Sequence, residues 1–240
     1  MPLNLLNLTR FSNGVTNKPE NDIWGGGMPF PDSYRAFHAY LEDFDYFLAA
    51  DWTVTETQAG ATQALLAGNN GLLALVNSAA DDDVNQIQKV AANFLPVAGK
   101  RFFMAARFML DDVTQSDFAI GLINASADAT VLANSVDGIF FLKADDAATV
   151  TLYCRQDNTT GSVNSGAIAT LANATMVELA CYYDGGDRIY YAVNGTIGGY
   201  VTVSSALLPN AVVTPTFALK NGSAAARTAT VDYMFAFQER

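Results

Sequence analysis

Residues 177–195 read VELACYY-DGGD-RIYYAVNG, and this stretch decides the fold. Val177, Leu179, Cys181 and Tyr183 alternate with Glu178, Ala180 and Tyr182, the period-2 pattern of a strand with one face on a core. Asp184-Gly185-Gly186-Asp187 supplies the turn, and Arg188–Val193 forms the return strand. Asn194-Gly195 then closes a second turn, and the chain comes back through Ile197–Val203. Asn-Gly and Asp-Gly tolerate the positive φ that tight hairpins need.

Working outward, the same grammar repeats. Strand candidates are Trp52–Thr57, Thr62–Ala67, Leu72–Asn77, Val84–Val90, Phe102–Leu110, Asp117–Asn124 and Gly138–Lys143. They continue as Thr149–Arg155, Ser165–Leu171, Thr175–Tyr183, Arg188–Val193, Tyr200–Ser204, Thr214–Lys220 and Thr228–Gln238. Asn-Gly at 70–71 and 221–222 and Asp-Gly at 137–138 mark further turns. Short strands at regular spacing without alternating helices specify an all-β fold, an antiparallel β-sandwich or jelly roll. Length alone fits one large β domain or two small ones.

Upstream, residues 37–48 (FHAYLEDFDYFL) fit a helix through Phe37, Tyr40, Leu41, Phe44 and Phe47, or a strand through His38, Tyr40, Glu42, Phe44 and Tyr46. Their aromatic content favours the strand. Residues 1–36 contain Gly25-Gly26-Gly27 and prolines at 2, 19, 29 and 31, with Phe11, Trp24, Phe30 and Tyr34 at no steady period. Such a stretch builds no core of its own. We read it as an extended N-terminal arm, lying on a neighbour or on its own sandwich, with 37–240 as the sandwich domain. Phe11, Trp24, Phe30 and Tyr34 are its candidate partner-binding residues.

Half of the 240 residues are apolar and 15% are charged, with 24 acidic and 13 basic side chains and a formal net charge of -11. No basic cluster exceeds Lys100-Arg101, so a nucleic-acid surface is not expected. No apolar run reaches the ~20 residues of a membrane helix, and the first residues lack a signal-peptide pattern. Ala, Asn, Thr, Ser and Gly stand where a free monomer carries Lys and Glu, which points to a surface covered by partners. Cys154 and Cys181 read as buried thiols. The Asn-x-Ser/Thr triplets fall in turns and are not expected to carry glycans.

Chemistry-bearing constellations are sparse. His38 is the sole histidine, so neither a zinc site nor a Ser-His-Asp arrangement is expected. Asp43 and Asp45 share one face in a strand reading and come nearest to a glycosidase pair. Asp81–Asp83, Asp111–Asp112 and Asp145–Asp146 read as solvated turns, with calcium binding as the alternative. The adjacent pairs Tyr182-Tyr183 and Tyr190-Tyr191 each present one ring to either face. The outward members, taken as Tyr183 and Tyr191, are expected to meet a partner or stack a sugar. No catalytic, cofactor-binding or metal residue is assigned.

Tyr183-Asp184-Gly185 and Tyr191-Ala192-Val193-Asn194-Gly195 resemble the paired strands of concanavalin A-like and laminin-G-like jelly rolls, as does the closing segment Thr230–Gln238. A broader pattern resembles a group of tailed-phage capsid or decoration proteins. It comprises Glu42-Asp43-Phe44, Trp52, the stretch Asp82–Gln88, Gly99-Lys100-Arg101-Phe102, and Val231-Asp232-Tyr233 running to Gln238 and Arg240. That resemblance implies a non-enzymatic decoration or cement protein, made in the host cytoplasm. It would sit on the outer virion surface, bind the major capsid protein, and form a homo-oligomer with a trimer favoured. The alternative is a lectin-like module on a virion spike or cell surface with a glycan as partner. A glycoside hydrolase or lyase using Asp43 comes third.

Overall fold

The computed structural model describes residues 37–67, 71–90, 94–130, 136–156 and 161–240. They form fifteen strands: β1 (Phe37–Glu42), β2 (Trp52–Glu56), β3 (Thr62–Leu66), β4 (Leu72–Val76), β5 (Val84–Lys89), β6 (Phe102–Leu110), β7 (Ser116–Ile123) and β8 (Gly138–Lys143). β9 (Thr149–Arg155), β10 (Ser162–Thr170), β11 (Val177–Tyr183), β12 (Arg188–Val193), β13 (Thr196–Thr202), β14 (Thr214–Asn221) and β15 (Thr228–Glu239) follow. These match the expected strands closely, and residues 37–42 take the strand reading.

Two antiparallel sheets result. The front sheet runs β13-β12-β11-β6-β15-β4-β3, and β1 pairs with the second half of β15 while β4 pairs with its first half. The back sheet runs β10-β9-β8-β7-β14-β5-β2. One continuous core lies between them. Phe102, Met104, Ala106 and Phe108 of β6 and Leu179, Cys181 and Tyr183 of β11 meet Phe118, Ile120, Ile139, Phe141 and Phe217 of the back sheet. At roughly 25 cal/mol per Å² of apolar surface removed from water, this interdigitated layer is the main source of stability.

The hairpin that opened the reading forms as drawn. β11 pairs with β12 through Leu179↔Val193 to Tyr183↔Ile189. Asn194 and Gly195 both take positive φ, 49° and 78°, as a two-residue type I′ turn requires. Gly138 starts β8, and the expected hairpin at Asp137-Gly138 is replaced by a long connection after β7. Its described residues 124–130 reach over the back sheet's outer face. Gln86 accepts from the Ala129 amide at 2.8 Å and Gln88 accepts from the Ser126 amide at 3.1 Å. Ala129 and Val136 join Ala119, Ile123, Phe140, Leu142 and Ala218 in a second buried cluster there. These contacts cover the centre of the back sheet's outer face, over β5, β7, β8 and β14, while β10 and β2 at its edges stay largely exposed.

Several aspartates expected to be solvated are structural. Asp83 is fully buried and accepts from the Ser78 amide at 2.7 Å and the Thr57 hydroxyl at 3.1 Å. Asp112 accepts from the Thr114 and Gln115 amides, which holds its carboxyl below the usual range even against its own desolvation. Carboxylates caught by backbone N–H groups are loop fasteners. Cys154 and Cys181 are free and buried, on opposite sheets, and burial pushes the Cys154 thiol up to about 12.

Candidate functional site

The front sheet's outer face is built by strand parity. Every residue between two core-facing residues on β11, β6, β15 and β12 points outward, and the register aligns these residues into rows across the strands. The first row is aromatic: Phe237↔Phe103, Phe103↔Tyr182, Tyr182↔Tyr190 and Tyr190↔Tyr200 are direct cross-strand partners. Ring centroids lie 6.3 Å apart for Tyr182 and Tyr190 and 5.7 Å apart for Tyr190 and Tyr200, spacings at which aromatic pairs attract.

The next row is small. Phe235 on β15 is followed by Ala105, Ala180 and Ala192, each the partner of the next. The three alanines are almost fully buried although they face away from the core, and Tyr182, Tyr233 and Phe237 pack against them. Short methyl side chains leave room on the sheet for the neighbouring rings. Tyr182, Tyr190 and Tyr233 are half-buried and Tyr200 is exposed.

The third row is polar. Tyr233 partners Arg107, and Arg107 partners Glu178. The Tyr233 hydroxyl donates to Glu178 Oε2, and burial with this carboxylate raises the phenol pKa. A bulge between Val231 and Tyr233 inserts Asp232, whose buried carboxylate pairs with Arg107 Nη1. The Arg107 side chain stays 43% exposed. Just past β1, the Asp43 carboxyl is held above its usual range by desolvation and by Asp45 and Asp232. Beyond the aromatic row, the Arg101 guanidinium donates to Glu239 Oε1 through Nε and Nη2 while its backbone amide donates to Oε2, and the Arg188 guanidinium lies 4.6 Å over the Tyr200 ring.

The expected site residues fall differently. Phe11, Trp24, Phe30 and Tyr34 lie outside the described residues. Tyr183 is fully buried, with its hydroxyl donating to the Gly186 carbonyl at 2.8 Å, and Tyr191 packs against the core. The outward members of the two pairs are therefore Tyr182 and Tyr190. Asp43 and Asp45 do not share a strand face: they flank buried Phe44, which takes φ 48° in the loop after β1. His38 packs 4.5 Å from the Phe94 ring. Glu178, Arg107, Asp232 and Tyr200 escaped the sequence reading. Their signal was a charged or polar residue inside an otherwise apolar strand, as at Arg107 in FFMAARFML. Among the described residues, no three His, Cys, Asp or Glu side chains converge as metal ligands do.

No known family profile matches the chain, and no curated protein matches it by sequence. Solved structures do match in fold. The endo-1,3-beta-glucanase from Streptomyces sioyaensis superposes with TM-score 0.60 at 15% identity, over 89% of this chain and 99% of that one. The carbohydrate recognition domain of Emp47p gives 0.58 at 12% identity, over 87% and 100%. The endo-beta-1,4-glucuronan lyase from Trichoderma reesei gives 0.56 at 11%, over 82% and 94%. At these identities the likeness concerns fold.

Proposed function

We infer a carbohydrate-directed role from the jelly-roll fold, which the chain shares with a carbohydrate recognition domain, a glucanase and a glucuronan lyase. We propose that this protein binds carbohydrate on the outer face of its front sheet. One observation carries the reading: an in-register row of tyrosines, Tyr182, Tyr190 and Tyr200, crosses the outer face, one row of alanines away from the polar Glu178–Arg107–Tyr233 row. Aromatic rings suit the apolar faces of pyranose rings, and the nearby carboxylate and guanidinium suit their hydroxyls. The recognition domains and glucanases among its neighbours lend support. Titration calorimetry against a glycan library tests it. Tyr190→Ala should weaken the best ligand several-fold, up to about tenfold for a lost stacking contact. Tyr183→Phe, a core change, should leave affinity unchanged. Equal affinity in Tyr190→Ala and the unaltered protein would refute the site.

A second reading is docking on a capsid through the major capsid protein, as a homo-oligomer. Leu41 at 70%, Tyr46 at 66% and Leu48 at 54% exposure favour it, because apolar side chains this exposed and this close in sequence fit a protein contact. Deleting residues 1–36 should lower binding to purified shells, and light scattering should give a mass above one chain. Unchanged shell binding would remove the arm from this account.

A further inference from the structure

Resting on the carbohydrate reading above, the geometry points to a substrate class: we infer that the face takes an extended, electrically neutral glycan rather than an acidic polysaccharide or a single sugar. Two independent features lead there.

The first is charge. In the polar row and the loop beside it, four carboxylates (Glu178, Asp232, Asp43 and Asp45) stand against one guanidinium, Arg107. Arg107 is already engaged by Asp232. The mutual repulsion is felt within the site: beyond its desolvation, Asp45 and Asp232 both hold the Asp43 proton more tightly. On the far side of the aromatic row the arginines are also occupied. Arg101 is gripped by Glu239, and Arg188 stacks on Tyr200 with Asp187 at 3.8 Å. A uronate would bring its charge into a field that is negative on one side and balanced on the other, at a cost that grows as water is excluded. A neutral hydroxylated chain meets acceptors on the carboxylates and donors on Arg107 without that cost.

The second is length. The aromatic row crosses five adjacent strands, β13, β12, β11, β6 and β15. At the usual strand spacing this is about 19 Å, well beyond a single sugar ring. Phe103 is buried at 2% exposure, so a chain laid across the strands meets Tyr200, Tyr190 and Tyr182 in succession, with half-buried Phe237 at the far end, each adding a contact that a monosaccharide lacks.

The experiment uses the full chain and three ladders of soluble oligosaccharides, each from monosaccharide to hexasaccharide: neutral hexose, uronate and glucosamine. Affinities are measured by calorimetry at low and high ionic strength. The inference expects the neutral ladder to bind best, with affinity rising about tenfold or more from monosaccharide to tetrasaccharide. It also expects that affinity to stay flat with salt, because no ion pair forms with the ligand. Tighter binding of the uronate or glucosamine ladder overturns the charge argument while leaving the carbohydrate reading standing. A monosaccharide that binds as well as the hexasaccharide overturns the length argument. Failure of all three ladders takes down the carbohydrate reading itself and this inference with it.

Discussion

Lys143 ends β8 fully buried, beside Phe118 and Val150 in the register, with its ammonium donating to the Ser116 carbonyl. Burial pushes its pKa down to about 8, an effect that Asp117 and Asp145 only partly offset. An unfolded chain holds this proton up to about 10.4, so the folded state disfavours the charged form by about 3 kcal/mol. The sign follows from proton counts. Between pH 8 and 10 the unfolded state binds more protons at this residue, so its contribution to stability rises with pH. From pH 7.5 to 9.5 the gain is about 2 kcal/mol. Cys154 and Cys181 push the other way in the same window, because burial raises both thiols while the unfolded thiols ionise near pH 8.5. The informative quantity is therefore the difference between the unaltered protein and Lys143→Met, measured by urea unfolding across that range. Stability of the unaltered protein should climb by about 2 kcal/mol relative to the variant. Parallel pH curves for the two proteins would refute the claim that this amine is held in a desolvating site.

Two further outcomes are expected. A Cβ on Gly121 would stand 2.5 Å from the Phe140 Cα and 2.6 Å from the Ile139 carbonyl oxygen, so Gly121→Ala should cost about 1–3 kcal/mol in chemical denaturation. A midpoint equal to that of the unaltered protein would contradict this packing. The two thiols should resist a disulfide reagent at pH 8 in the folded protein and both react after unfolding in guanidinium; rapid labelling of the folded protein would show that one is accessible.

The strands were legible because each needs only local information: an apolar alternation and a turn dipeptide at its end. Val177, Leu179, Cys181 and Tyr183 even declared a shared apolar face, and that parity already places Tyr183 inside and Tyr182 outside. Choosing Tyr183 and Tyr191 as outward rings set aside that alternation in favour of a motif. The polar row was harder to find. Arg107, Glu178 and Tyr233 come from three strands far apart in sequence, and only the register makes them neighbours. Asp232 depends in addition on a bulge, which shifts one residue against its partner strand without a glycine to announce it. The connection over the back sheet was misread for a related reason. Asp137-Gly138 has hairpin chemistry, but Gln86 and Gln88 on a distant strand hold the preceding segment across the sheet.

β15 bears on how this molecule is born. It lies in the middle of the front sheet, touching β6 along its length, β4 at one half and β1 at the other. A ribosome makes it after every other described strand. Until it emerges, β1 has no hydrogen-bonding partner, and β4 and β6 each have a vacant side. The nascent protein must therefore wait, with sticky borders on offer, for the piece that joins them. Chains terminated before β15 are expected to aggregate through those open borders.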